Sequence, residues 1–339
     1  MKTQHSDRYC KSSQWVNGKF ENLEETSMMI GVRDGLAILY RQIFDKKGRA
    51  PISPIPIIPF DKEAFLKPST ESKFIWYGHS VVLLRINDST ILIDPMLGPD
   101  AAPIAPFASK RFSEHTLDII DDLPDIDLLI MTHDHYDHLD LASIEKLQHK
   151  VSKYFVGLGV GRHLEKWGVS SDSITEFDWW DEHSFEDIQI TYTPTRHFSG
   201  RGVTDRAKSM WGGWVFKTST ENIWFSGDGG YGEHFQEIGQ KLGPFDFAFM
   251  ECGQYNELWH QIHMYPEEAV QAALDGKAKK IMPVHWAGFS LALHTWKEPV
   301  ERFVKACQEK SIDFALPQLG ELLPISGKEN DPKWFEKLD

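Results

Sequence analysis

The sequence predicts an α/β fold, and three observations predict it. Beyond about residue 73, short runs rich in β-branched and aromatic residues alternate with segments of helical periodicity. Several of those runs, such as 127–132, are continuously apolar, which is the pattern of strands buried on both faces. Histidines and aspartates recur just after such runs, where open α/β sheets place their sites.

The elements follow in chain order. Met29, Val32, Leu36, Leu39, Tyr40 and Ile43 lie near helical spacing within 28–44, interrupted by Arg33, Asp34 and Arg41. An amphipathic helix is expected there, packed on the domain or at a homo-oligomer contact. A lid or a membrane-surface helix is the sharper alternative. The segment is too short and too charged to span a bilayer. Pro51, Pro54, Pro56 and Pro59 block both helix and ladder pairing, so 49–60 reads as an extended proline-rich arm. Strands are expected at 74–77, 81–86 and 90–93, with Asn87-Asp88 as the turn between the last two. A long loop covers 100–114. A buried strand over 127–132 precedes a helix that Asp140 caps and that carries Leu141, Ile144 and Leu147.

Further strands are expected at 153–156 and 188–192, and a hairpin at 214–218 and 223–226. Phe235, Ile238 and Leu242 mark a helix ending near Gly243-Pro244. Strands at 245–250 and 280–284 flank a helix that Pro266 opens at its first turn, and a helix over 298–309 closes the fold. The expected division is 1–68 as helix and arm, 69–325 as one domain and 326–339 as a tail.

Composition narrows the function. The 339 residues carry a net charge of −14, which argues against nucleic acid as partner. Only Lys110-Arg111 and the stretch from Arg196 to Arg206 hint at a basic patch for peripheral membrane contact. Three cysteines, far apart in the chain, form no disulfide framework, so a reducing, cytoplasmic setting is expected.

The strongest motif is Thr132-His133-Asp134-His135-Tyr136-Asp137-His138. It sits between a buried strand and a capped helix. His133 and His135, two apart in an extended loop, can address one ion. Asp137 and His138, after the chain turns, can reach a second, as a two-metal hydrolytic site requires. His197, Asp228 and His285 follow three other strands and complete a set of nitrogen and oxygen ligands. Zinc suits this set, and manganese or iron are compatible with it. His79, after a strand and a glycine, is expected to line the pocket. Asp94, at the end of the strand 90–93, is expected to orient a ligand histidine. Trp179, Trp180, Trp211, Trp214, Trp259 and Trp286 fall near loops and could wall an apolar groove, ordinary packing being the competing expectation.

In this order the motifs resemble the metallo-β-lactamase-fold hydrolases. Within them the chain is most similar to the N-acyl-phosphatidylethanolamine-hydrolysing phospholipase D branch. The closer likeness rests on Trp76-Tyr77-Gly78-His79-Ser80, Leu92-Ile93-Asp94-Pro95, His135-Tyr136-Asp137-His138-Leu139-Asp140, Gly227-Asp228-Gly229-Gly230-Tyr231, Pro266-Glu267-Glu268-Ala269-Val270 and His285-Trp286. Gly229 departs from that family's usual threonine. The resemblance implies a four-layer αββα sandwich with two metal ions at one edge. It implies that His133, His135 and His197 hold one ion, that Asp137, His138 and His285 hold the other, and that Asp228 bridges them. The reaction it implies is phosphodiester hydrolysis by a hydroxide held between the ions. Asp228, Asp137 and His263 are then the candidate catalytic residues, with His79, Asp94 and Trp286 behind or beside the ligands. A lactonase or a hydrolase of small phosphorylated substrates on the same fold is the alternative, and a non-catalytic metal-binding scaffold is a second.

Overall fold

The computed structural model describes residues 9–27, 38, 40–42, 44–101 and 108–339. Most of the helix expected over 28–44 lies outside them. Among the described residues the chain folds into an α/β sandwich of two seven-stranded mixed sheets flanked by helices. A short hairpin precedes them, formed by β1 (Trp15–Val16) and β2 (Lys19–Phe20).

The first sheet contains β3 (Lys73–Trp76), β4 (Val82–Ile86), β5 (Ser89–Ile93), β6 (Ile126–Ile130), β7 (Val151–Gly157) and β8 (Ile174–Phe177) in chain order. β3 to β5 form an antiparallel meander, and β5 to β8 run parallel. The β4–β5 turn is the expected one. Ile86 pairs with Ser89 across two residues, and Asn87 and Asp88 take the positive φ values of 45° and 63° that such a turn demands.

The second sheet repeats the plan. β9 (Glu182–Phe185), β10 (Ile188–Thr193), β11 (Gly213–Lys217) and β12 (Asn222–Phe225) are antiparallel. β13 (Phe247–Glu251), β14 (Lys280–Val284) and β15 (Asp313–Phe314) then continue from β12 in parallel. β16 (Leu322–Pro324) returns to the first sheet and pairs with β3.

Side-chain alternation builds three apolar layers. Phe74, Trp76, Leu84, Ile130, Trp214, Phe249 and Met282 fill the space between the sheets. Ile75, Leu83, Leu92 and Leu129 point the other way and pack under the helix Leu141–Leu147 through Ile144 and Leu147. Val215, Trp224, Ala248 and Met250 do the same for the second sheet. They pack against the helices His234–Lys241, Pro266–Asp275 and Glu298–Lys310. Asp140 caps its helix by accepting the Ser143 N–H at 2.8 Å, and Pro266 occupies the first helical turn.

Some details differ from expectation. In β10 the alternation of Ile188, Ile190 and Tyr192 predicts a half-buried strand, but Thr191 and Thr193 on the other face are buried as well. Leu141 is 40% exposed, since the helix turns Ser143, Ile144 and Leu147 inward. The short helix Gly161–Lys166 and the strands β8 and β9 have no counterpart in the sequence reading. The segment 51–60 carries no helix or strand. It is tied down by Ile55 N–H to Phe112 O at 2.9 Å and Ile58 N–H to Leu319 O at 2.8 Å. No helix among the described residues is long and apolar enough to cross a membrane.

Candidate metal centre

The two sheets present the carboxyl ends of β5, β6, β10, β12, β13 and β14 at one edge, and the loops leaving these strands carry the chemistry. The loop after β6 bears His133, His135, Asp137 and His138. His197 follows β10, Asp228 follows β12, and His285 follows β14. Three non-glycine residues at the edge are held with positive φ: His79 at 53°, Asp94 at 43° and His285 at 68°. Such backbone is costly, roughly 1–3 kcal/mol per residue, and persists where packing enforces it. Gly227 has φ 68°, and a Cβ there would lie 2.4 Å from the Gly212 carbonyl oxygen. Only glycine can deliver Asp228 into the site at this turn.

Two groups of side chains converge. In the first, His135 Nδ1 lies 2.9 Å from His133 Nε2 and 3.2 Å from His197 Nε2. In the second, Asp137 Oδ2 lies 2.9 Å from His79 Nε2, 3.2 Å from His285 Nε2 and 3.6 Å from His138 Nε2. Asp228 Oδ2 lies 3.1 Å from His138 Nε2 and 3.0 Å from His285 Nε2. Asp228 also falls within ligand reach of His133 and His138, and of His197 and His263, so it stands between the groups. Several buried clusters here are able to chelate a metal ion.

The nitrogens facing away from the centre are mostly committed, which leaves the inward nitrogens to act as ligands. His138 Nδ1–H donates to Asp94 Oδ2 at 2.8 Å. His133 Nδ1–H donates to Thr132 Oγ1 at 2.9 Å, and that hydroxyl donates to Asp94 Oδ2 at 2.6 Å. One buried carboxylate therefore orients a histidine in each group. His197 Nδ1–H donates to the Ile262 carbonyl at 3.0 Å. His135 and His79 are exceptions: His135 Nδ1 faces the group, and His135 Nε2 and His79 Nδ1 are buried with no hydrogen-bond partner among the described residues.

The groups differ electrostatically. Burial pushes His133 and His197 well below the usual imidazole range, and neighbouring imidazoles push the same way. Burial also takes His135 down to about 4, against Asp137 and Asp134. These three are neutral at pH 7, the form a metal requires. Burial would lower His138 too, but Asp228, Asp137 and Asp94 outweigh it and push the ring up to about 10. His285 is likewise raised, burial being outweighed by Asp228 and Asp137. Burial would raise Asp137 and Asp228, but His138 above all, with His285, holds both well below the carboxylate range. In the metal-free protein, protons on His138 and His285 neutralise the two carboxylates.

The seven expected ligands are thus brought together. His79 joins the second group through Asp137, with its ring 4.2 Å from that of His285, and burial, then His285, takes it down to about 3. His263 stacks on His285 at 5.3 Å and meets His197 edge-on at 5.0 Å. Trp286 departs from the expectation of a pocket residue. Its backbone leaves His285 toward the sheets, and the ring packs between Trp76 and Trp334 at 5.4 and 5.7 Å in the inter-sheet core. Its carbonyl accepts the His79 N–H at 2.8 Å. Trp211 and Trp214 are likewise buried packing. Of the cations that hint at a basic patch, Lys110 and Arg206 are exposed, and three arginines are engaged by backbone carbonyls. Arg111 donates to the carbonyls of Tyr77 and Met96, Arg196 to those of Glu25 and Tyr231, and Arg201 to those of Asp134 and Leu139.

Glu251, fully buried at the end of β13, is absent from the sequence reading. It accepts from His263 Nδ1–H at 2.7 Å and lies 3.5 Å from His285 Nδ1. Its one signal is a lone acid ending an apolar strand at the same edge.

The chain is similar to known proteins. A model of the β-lactamase superfamily domain matches residues 89–286. A protein of Mycobacterium tuberculosis described only as uncharacterized is 33% identical over 330 residues, 96% of this chain and 88% of its own. The N-acyl-phosphatidylethanolamine-hydrolyzing phospholipase D 1 of Caenorhabditis elegans is 29% identical over 271 residues, 75% of this chain and 76% of its own. Among solved structures, the metallo hydrolase Igni18 of Ignicoccus hospitalis superposes with a TM-score of 0.58 at 20% identity, covering 75% of this chain and 98% of that one. The chain belongs to the β-lactamase superfamily and carries the metallo-β-lactamase fold.

Proposed function

We propose that this protein is a dinuclear metal-dependent phosphodiesterase of phospholipase D type, acting on N-acyl-phosphatidylethanolamine-like lipids. The observation that carries the reading is the pair of ligand groups, three imidazoles in one and Asp137, His138 and His285 in the other, with Asp228 between them. The similarity to the Caenorhabditis elegans enzyme supports the lipid. Residues 69–325 form the hydrolase domain in this reading, and the described parts of 1–68, with 326–339, pack on it. Tyr9, Phe20, Trp334 and Phe335 in the inter-sheet core support that arrangement. The three free cysteines support a cytoplasmic setting.

His133, His135 and His197 would hold one divalent cation and Asp137, His138 and His285 the other, with Asp228 shared. An all-nitrogen-and-oxygen set suits zinc, with manganese or iron compatible. When bound, the cation pair supplies an acidified water and neutralises charge growing on the phosphoryl oxygens. The protein's own groups do the rest. Asp94 and the Ile262 carbonyl keep His133, His138 and His197 in their tautomers. Asp228, aided by Asp137, accepts the proton of the attacking water. His263 donates its Nδ1–H to Glu251, and a second proton carried on Nε2 would pass to the leaving alkoxide. The bond from water oxygen to phosphorus forms as the bond to the N-acylethanolamine oxygen breaks.

The test is turnover by zinc-loaded protein of N-acyl-phosphatidylethanolamine in detergent micelles, of bis-p-nitrophenyl phosphate and of a simple lactone. Release of N-acylethanolamine that stops on chelation and returns with zinc is expected. Lactone hydrolysis with neither phosphodiester cleaved, or no turnover by protein holding two ions, would overturn the reading.

A further inference from the structure

The N-terminal segment lies outside the stretch matched by the superfamily model, yet it is bonded to the loops that carry the ligands. Its hairpin is anchored by packing of Tyr9, Trp15 and Phe20, with ring centroids 4.8–5.7 Å apart, and by the Phe20 N–H donated to Ala207 O at 2.8 Å. From there residues 20–27 run across the metal edge.

Asn22 makes the closest connection. Its Nδ2 donates to the His197 carbonyl at 2.8 Å, and its Oδ1 accepts the His197 N–H at 3.1 Å. The side-chain amide thus grips both peptide groups of one ligand residue, 175 positions away in sequence. The same Oδ1 accepts from Trp211 Nε1–H at 3.0 Å, which fixes the amide's direction. With its imidazole donating to Ile262, His197 is held at both backbone and ring.

Neighbouring residues reach the other loops. Arg196 donates to Thr26 Oγ1 at 3.1 Å and to the Glu25 carbonyl at 2.8 Å. Glu24 Oε1 accepts the Glu233 N–H at 2.9 Å, on the loop that carries Asp228. The Ser27 N–H donates to Gln261 Oε1 at 2.6 Å, two residues before His263. Phe20, Leu23 and Thr26 wall a cavity of about 450 Å³ whose other side includes His197, Phe198 and Trp211.

We infer that residues 20–27 are a strap that completes the metal centre, and that Asn22 is a positioning residue for the ligand His197. The inference rests on the two-ion reading above. An outer residue that orients a ligand is typically worth 10- to 100-fold in metal affinity. Asn22 acts on the backbone, and on one group only, so the effect falls on the ion held by His133, His135 and His197.

The experiment is competition of cobalt(II)-loaded protein against a chromophoric chelator, for the parent, Asn22→Ala and Asn22→Asp, with thermal unfolding of each metal-free protein. The parent is expected to hold two ions. Asn22→Ala should release one of them about tenfold or more readily, with the other within about threefold of the parent and the metal-free unfolding midpoint within a few degrees. Asn22→Asp keeps the acceptor but loses the donor to the His197 carbonyl, so it should fall between. If Asn22→Ala holds both ions as tightly as the parent, or loosens both equally, the strap inference is overturned while the two-ion reading stands. A parent that binds fewer than two ions overturns both.

Discussion

Loading the two metal positions should release different numbers of protons. In the first group His135 lies at about 4, and His133 and His197 are lowered further by burial. At pH 7 a cation entering there meets neutral nitrogens and displaces no proton. In the second group His138 is pushed up to about 10 by Asp228, Asp137 and Asp94, and His285 is raised by Asp228 and Asp137. Each bears a proton at pH 7 on the Nε2 that faces the carboxylates, and a cation must evict both. Each displaced proton makes affinity tenfold tighter per pH unit, about 1.4 kcal/mol. Affinity at the second position should therefore rise by up to about 100-fold per unit near pH 7, while the first stays flat. Zinc titration by calorimetry, in two buffers of different ionisation enthalpy, counts the protons: the histidines contribute about two for one ion and about zero for the other, in addition to any proton from the water that the pair acidifies. Equal release at both positions, or none at either, would refute the charge assignment.

Other outcomes follow from the same contacts. His263→Ala should lower kcat by about 10²- to 10⁴-fold with both ions retained, and a kcat within threefold of the parent would remove it from proton transfer. Glu251→Gln, which keeps an oxygen near His263 Nδ1 but no charge, should lower kcat more than it raises KM. An unchanged ratio of the two would count against a role through His263. Asp94→Ala frees a histidine in each group, so both ions should weaken by about 10- to 100-fold by chelator competition. Trp286→Ala should cost about 3–5 kcal/mol in denaturant unfolding, because the ring is packed among Trp76, Trp334 and Phe335. A near-neutral result would place it on a surface instead.

What could be read from the sequence was whatever is local. The His133–His138 loop is legible because six consecutive residues hold four candidate ligands after an apolar strand, and Asp94 and His285 because each ends such a strand. Contacts across the chain were not. Asn22 shows no pattern among its neighbours, and its partner His197 is brought near only by folding. Glu251 looks like any acid at a strand end until His263 is seen 2.7 Å away. Trp286 shows the converse error. Adjacency to a ligand suggests a shared pocket, but with φ 68° at His285 the backbone turns the next ring into the core. The strand Glu182–Phe185 escaped notice because it is an exposed edge with no apolar run. The helix Gly161–Lys166 is too short to display a period.

The central claim is that two cations share Asp228, and anomalous diffraction from crystals grown with zinc tests it most directly. Two peaks are expected about 3.5–4 Å apart, one against His133, His135 and His197 and the other against Asp137, His138 and His285, with an Asp228 oxygen contacting each. A single peak, or two with Asp228 touching neither, would contradict it.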